Sequence, residues 1–412
     1  MRRIGKLTAQ ISAQNAGRDI DRLRLKLEHM RQDPFAFFRG TNPLFLGFLP
    51  RAHAAFRAPR TLVCGDLHLE NFGTYKGDNR LCYFDINDFD EACAAPFTID
   101  LVRFIAGLRL AAIPLGLSPA EVKKLIECFL RAYGRCIAEG KPRWIERSLA
   151  QGVFRAVLRR AMKRTRRELL DRFTRLKAGW PRIRIDGVRA SRIDARELRD
   201  LRSFLLRERK RLVTPERPRE FFDLLDAARR IAGNGSLGLA RYMLLVRGRG
   251  APDQHFVLDL KFAAPSAVSA WLRRSQPDWP DDAVRVVSIQ HIMQAVSPAM
   301  LDAVRYLHRP FVLKELQPSI DRLNLARLRS KPRRLIQAVE GMGHVAAWAH
   351  LRGCGHHGTA VPEVLRSYVA GERWQTAVER TAEAAAARTL RAWQSYCRDY
   401  DSGAVADALP VS

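Results

Sequence analysis

The sequence predicts a mixed α+β protein built from a large helical part and a smaller β-rich part. Three observations carry that expectation. The chain has 412 residues, against roughly 100–200 per domain, so two or three packed units are expected. Ser118-Pro119-Ala120-Glu121 has the form of a capping box with proline at the first helical position, and Val122, Leu125, Ile126, Phe129, Leu130 and Tyr133 follow as an apolar stripe. Finally, Gly233-Asn234-Gly235-Ser236-Leu237-Gly238 leads into two strand-like runs, Ala240 to Val246 and His255 to Lys261, joined by a turn over Arg247 to Asp253. Hydrophobic residues at 47% and charged residues at 28% give a globular balance, not that of a disordered chain.

Taken in order, the first 30 or so residues read as one polar helix with Ile20, Leu23 and Leu27 at helical spacing. An aromatic segment from Asp33 to Gly40 ends in a turn. Two short strands are predicted, Thr61 to Cys64 and Leu81 to Ile86, separated by a loop containing Gly73, Gly77 and Asp78. The capped helix from Pro119 follows, and then a basic block that is mostly helical by composition. After the hairpin, Val284 to Val296 reads as helix and Pro310 to Leu316 as strand. From Leu335 the pattern is helical, including the alanine-rich Glu379 to Tyr400, with the last dozen residues frayed. The expected division is 1–222 for the helical part with the basic block, 223–316 for the β-rich part, and 317–412 for helices returning to the first.

Charge is unevenly placed. Lys and Arg number 71 against 43 Asp and Glu, a net +28, and Arg143 to Arg219 holds 25 basic and 9 acidic residues. Such a block can attract phosphates or nucleic acid, but it lacks interleaved aromatics for base stacking. Arginine outnumbers lysine 59 to 12, so a solvated basic helical face accounts for it as well. Seven cysteines without a C-x-x-C pair argue for reduced thiols rather than a zinc ribbon. Cys354-Gly355-His356-His357 reads as a turn. No apolar run reaches the ~18 residues of a membrane span, and no apolar core follows the basic Met1 to Lys6, so a cytoplasmic protein is expected.

The chemistry concentrates in Gly65-Asp66-Leu67-His68-Leu69-Glu70-Asn71 and Phe84-Asp85-Ile86-Asn87-Asp88. Asp66 and Asn71 are separated by four residues, each near the end of a strand-like segment. Phosphoryl transfer needs one carboxylate to orient a hydroxyl and take its proton. It also needs an amide oxygen and a second carboxylate to hold Mg²⁺ against nucleotide phosphates. Asp88 and Asp90 compete with Asp85 for the metal role, and Asp85 is favoured because it ends the apolar run Cys82-Tyr83-Phe84. Gly233, Gly235 and Gly238 can let backbone N–H groups approach phosphate oxygens. Lys261, in apolar surroundings and one of few lysines, is placed to reach the phosphates.

These segments resemble the catalytic and metal loops of the protein-kinase-like superfamily, especially the aminoglycoside-phosphotransferase and choline-kinase types. Together with Pro34 to Gly40, Pro96 and Asp100-Leu101, they resemble the bacterial DUF2252 family over most of the chain. The resemblance implies a protein-kinase-like two-lobed fold, with Asp66 as catalytic base and Asn71 and Asp85 as metal ligands. Asp100 would brace the catalytic loop, Gly233, Gly235 and Gly238 would form the phosphate loop, and Lys261 would contact phosphate. Because the glycine loop follows the catalytic loop here, the arrangement implied is circularly permuted. Cys64 stands where many relatives of the superfamily carry histidine. No glutamate lies between Lys261 and Lys314 to pair with the lysine; Gln290, Gln294 and Glu315 are the candidate substitutes. Only fourteen residues separate Asp85 from Asp100, too few for a peptide-docking activation segment. The expectation is an ATP- and Mg²⁺-dependent phosphotransferase with a small-molecule acceptor. The alternative is a nucleotide-binding pseudokinase or scaffold, with nucleic acid on the basic block.

Overall fold

The structure, a computed structural model, describes residues 5–251, 254–317, 323, 325–371 and 373–409. Pro252 and Asp253 of the hairpin turn, Met1 to Ile4 of the basic N-terminus and the last three residues lie outside them. The fold is mixed α+β with several antiparallel sheets. Among the described residues, no helix is long and apolar enough to cross a membrane.

The helical body forms around Thr98–Leu115, which is apolar nearly all round and buried along most of its length, as a central helix should be. Pro119–Glu139 packs beside it. Its start is fixed by the anticipated capping box, with Ser118 accepting from the Glu121 amide and Glu121 reaching back. Pro332–Arg352 and Arg373–Asp401 close the body. Two small sheets carry the motif segments. Arg60–Val63 pairs with Cys93–Pro96, and Cys82–Ile86 pairs with Phe72–Lys76 on one side and Ile145–Glu146 on the other.

The other large element is a six-stranded antiparallel sheet. Its spatial order is Asp302–Tyr306, Arg309–Glu315, Phe256–Phe262, Arg241–Val246, Leu224–Arg230 and Ala190–Ser191. One face packs on Phe204 and Leu205 of the helix Ala195–Leu212, and the other on Leu170, Phe173 and Ile183. The stretch from about 166 to 222, grouped by sequence with the helical part, therefore packs on the sheet.

Several elements differ from the sequence expectation. The first helix is two, Lys6–Gln14 and Ile20–Gln32, because Gly17 turns the chain with a φ of +75°. Pro34–Gly40 is a short helix capped by Asp33. The loop with Gly73 contains the strand Phe72–Lys76, and the basic block contains the hairpin Thr174–Lys177 with Trp180–Ile183. Leu224–Arg230 and Asp302–Tyr306 are strands with no clean alternation of apolar and polar residues. Ala404–Asp407 is helical, with Val405 buried against Tyr396 and Ile11, so the tail is not frayed there.

Asp259, on the central strand, is the most heavily compensated charge of the sheet. It is buried between Arg230 at 2.6 Å and Arg241 at 2.6 Å. Burial pushes its carboxyl up, but the two guanidinium groups outweigh that and hold it well below the usual carboxylate range. Asp259→Asn removes the carboxylate charge that both arginines share and is expected to cost about 3–5 kcal/mol in urea unfolding at pH 7. The sign of the pH dependence follows from a depressed folded pKa. The contribution of Asp259 is complete above the unfolded value of about 4 and is lost as pH falls below it, so the variant's deficit narrows in acid.

Candidate functional site

The loop from Gly65 to Asn71 begins at a glycine whose φ of +78° and position leave no room for a side chain; a Cβ would stand 2.3 Å from the Glu91 carbonyl oxygen. The turn is held from below by Asp100, which is fully buried. Its Oδ2 accepts from the Cys64 amide at 2.9 Å and its Oδ1 from the Gly65 amide at 2.8 Å. His350 Nε2 donates to Oδ2 at 3.1 Å, which leaves His350 Nδ1 to accept from the Tyr133 hydroxyl at 2.8 Å. Asp100 thus braces this loop.

Asp66 follows with its side chain partly exposed at the floor of a cleft. Arg103 Nε donates to its Oδ1 at 2.7 Å, and the Arg103 guanidinium also lies 3.3 Å over the Phe38 ring. Burial raises the Asp66 carboxyl; Arg103 pulls it back, Glu91 and Asp88 add to the rise, and it settles at about 7. A carboxylate poised there suits a general base near neutral pH. Asn71 donates from Nδ2 to the Asp66 carbonyl at 2.6 Å, which leaves its Oδ1 available as a hard oxygen ligand.

The cleft contains two joined cavities of about 560 and 320 Å³. Both are lined by Arg39, Asn71, Asp88, Asp90 and Gly233. The larger also reaches Lys261, Lys314, Arg241 and Gln290, and the smaller reaches Asp66, Gly235, Lys26 and Asn42. Lys261 pairs with Asp90. Burial raises the Asp88 carboxyl, but the positive field of Lys261 and Lys314 outweighs it and holds it below its ordinary value. The backbone of the Asp90 loop is itself fixed: buried Arg285 donates to the carbonyls of Asp90 at 3.1 Å and Ala92 at 2.5 Å.

Asp85 is elsewhere. It lines neither cavity; its Oδ1 accepts from the Ile86 amide at 2.8 Å and its Oδ2 faces Arg352 at 3.5 Å. Burial lifts it to about 6 against the pull of Arg352. Asp88 and Asp90 line both cavities together with Asn71, and of the two Asp90 is paired with Lys261. Gly233 and Gly235 line the cleft, whereas Gly238 does not. Gly238 packs against Arg18, and its carbonyl accepts from the Asp19 amide at 3.0 Å. Of the substitutes for the missing glutamate, Glu315 is taken by Arg80 at 2.6 Å and Gln294 donates to the Ile86 carbonyl at 2.6 Å; only Gln290 faces the cleft.

Sequence reasoning did not find Arg103, Lys314, Lys26 or Asn42. The scarcity of lysine, 12 in the chain, was a usable signal for two of them. Among the described residues no three His, Cys, Asp or Glu side chains gather to hold a metal. A Mg²⁺ shared with nucleotide phosphates does not require such a cluster. The 354–357 segment is a turn with Cys354 buried against Thr61.

An antiparallel glycine turn, a braced Gly-Asp loop and an acidic loop tied to a strand lysine define a mixed-charge cleft protein. The chain belongs to the DUF2252 family, described as an uncharacterized protein conserved in bacteria, whose model matches residues 18–399. No curated protein and no solved structure matches it.

Asp100→Asn places an amide N–H against a backbone N–H and leaves one buried donor unsatisfied. The expected cost is about 1–3 kcal/mol of stability, with faster hydrogen exchange at the Cys64 and Gly65 amides. Unchanged exchange there would remove the bracing role.

Proposed function

We propose that the protein is an ATP- and Mg²⁺-dependent phosphotransferase of kinase-like type, acting on a small-molecule acceptor. One observation carries the reading: Asp66, Asn71 and Asp88 share a cleft with Lys261 and the turn at Gly233 and Gly235, although 144 residues of sequence lie between the two groups. In this reading the six-stranded sheet is the smaller lobe and the helical body the larger, in an order circularly permuted relative to ordinary kinases. The glycine turn joins two antiparallel strands, and Lys261 lies on the next strand, in register with Arg241, which supports that comparison.

Bound ATP with Mg²⁺ supplies the transferable phosphoryl group. Asn71 Oδ1 and Asp88 are the hard oxygens that fit the metal, a role assigned to Asp88 in place of Asp85. Arg103 holds Asp66 Oδ1, so that Oδ2 can take the proton of the acceptor hydroxyl. Lys261 and Lys314 place positive charge where phosphates would lie, and the amides of the glycine turn add neutral donors. The lack of a helix glutamate for Lys261 motivates the pseudokinase alternative, which the following measurements separate from an active enzyme.

At about 100 times its dissociation constant, ATP with Mg²⁺ stabilises the fold by ~2.7 kcal/mol, a shift visible in thermal unfolding. The shift is expected to persist in Asp66→Asn and Asp85→Ala and to lose its Mg²⁺ dependence in Asp88→Ala. A Mg²⁺-dependent shift that survives in Asp88→Ala and vanishes in Asp85→Ala would return the metal role to Asp85. ATP consumption against a panel of small hydroxylated acceptors is expected in the wild type and absent in Asp66→Asn. Binding without consumption would favour the pseudokinase.

The pH profile tests the base separately. A base with its pKa raised to about 7 is protonated and inactive below that value. kcat/KM is therefore expected to climb about tenfold per pH unit below 7 and to level off above it. A profile flat from pH 5 to 8 would exclude Asp66 as the group that titrates.

A further inference from the structure

The smaller cavity, on the Asp66 side of the glycine turn, has an unusual balance of charge. Its carboxylates are already matched. Asp66 is held by Arg103, Asp90 by Lys261, and Glu91 by the Ala267 amide at 2.6 Å; Asp88 lies in the field of Lys261 and Lys314. The cations at the opposite end are not matched. Lys26 is only 2% exposed, and its ammonium is answered by the Asn15 side-chain oxygen at 2.7 Å and the Gly235 carbonyl at 3.4 Å. Arg18 donates to the Gly235 carbonyl at 2.8 Å and the Leu237 carbonyl at 2.6 Å. Among the described residues neither forms an ion pair. Burying a cation without an anion costs several kcal/mol, and burial lowers the pKa of both, that of Lys26 further reduced by Arg18.

A second observation lies beside them. Asn42 lines the same cavity at 5% exposure, and neither its Nδ2 nor its Oδ1 has a hydrogen-bond partner. The Arg39 Nε is likewise buried and unpartnered. Unsatisfied buried donors and acceptors are rare in folded proteins and call for an explanation. Two uncompensated cations, a free amide and a free guanidinium N–H, facing about 320 Å³ of open volume, are complementary to an oxyanion carrying neighbouring hydroxyl groups.

We infer that this cavity binds an anionic acceptor, a phosphate- or carboxylate-bearing alcohol, with its oxyanion at Lys26, Arg18 and Asn42 and its hydroxyl toward Asp66. The assignment rests on the phosphotransferase reading for the word acceptor, but the oxyanion site itself does not. The two cations also hold the glycine turn by its carbonyls, so an anion there would tighten the turn that covers the nucleotide.

The test is a titration of the full chain with inorganic phosphate at fixed ionic strength, followed by calorimetry and thermal unfolding, with chloride as the control anion. Phosphate is expected to raise the unfolding midpoint where chloride does not, and to bind at least as tightly with ATP and Mg²⁺ saturating. Lys26→Met is expected to weaken phosphate at least tenfold and to raise the midpoint of the ligand-free protein. If that variant does not fold, Asn42→Leu is expected to show the same loss of phosphate binding. Acetate in place of phosphate separates a carboxylated acceptor from a phosphorylated one. Displacement of phosphate by ATP, or its loss in Lys261→Met with retention in Lys26→Met, puts the anion in the nucleotide site and overturns the inference, as does an equal response to chloride. A Lys26-dependent phosphate response without any ATP response would keep the anion site and end the phosphotransferase reading.

Discussion

The site depends on one buried carboxylate. Asp100 sits on the first turn of Thr98–Leu115 and takes the two amides that start the Asp66 loop. Through His350 and Tyr133 the same carboxylate is tied to Pro332–Arg352 and Pro119–Glu139. Three residues on, and so on the same helical face, Arg103 takes the Asp66 side chain. One turn of helix therefore fixes both the backbone and the functional group of the loop. The helix can do so because it is packed on nearly every side, and rigid supporting groups are what hold a partly exposed carboxylate in one orientation.

On the opposite wall, positive charge is apportioned by the pleat. Asp259 and Lys261 share one face of their strand, two residues apart, and Lys314 is in register with Asp259 on the neighbouring strand. Arg230 and Arg241 neutralise Asp259. Lys261 and Lys314 are thereby left to face the acidic loop across the cleft, where Lys261 meets Asp90. Arg285 fixes the backbone of that loop, so both partners of the pair stand on supported elements.

What the sequence disclosed was local. The Gly65 to Asn71 loop, the strand ending at Ile86 and the capped helix from Pro119 are written in consecutive residues, and the structure places them there. The choice between Asp85 and Asp88 was not local. An apolar run marks where a strand ends, but not which of its faces meets the cleft. The charged surroundings of the two carboxylates come from Arg352 on one side and from Lys261 and Lys314 on the other, all more than 170 residues away. The basic block is likewise organised by distant contacts. Many of its arginines are spent within the fold: Arg182 on the Leu225 carbonyl, Arg209 on Asp223, Arg211 on Asp302, and Arg166 over the Phe256 ring. Composition counts those charges without showing what they hold.

The lysine's partner decides how such a cleft would work. In the kinase-like comparison a helix glutamate holds the lysine, and the helix position sets its state. Here Glu315, the nearest acidic candidate, is committed to Arg80, and the helix Asp282–Met293 offers only Gln290. An amide cannot hold an ammonium as a carboxylate can. Lys261 is instead held by Asp90, two residues from Asp88, on the loop that carries the proposed metal ligand. Phosphates entering the cleft would compete with Asp90 for the ammonium, while their metal would engage Asp88. Lys261 and the Asp88 to Asp90 loop are thus coupled through three consecutive residues, and the helix Asp282–Met293 fixes the loop's backbone through Arg285. What positions the lysine in this protein is the acidic loop, itself held by that helix.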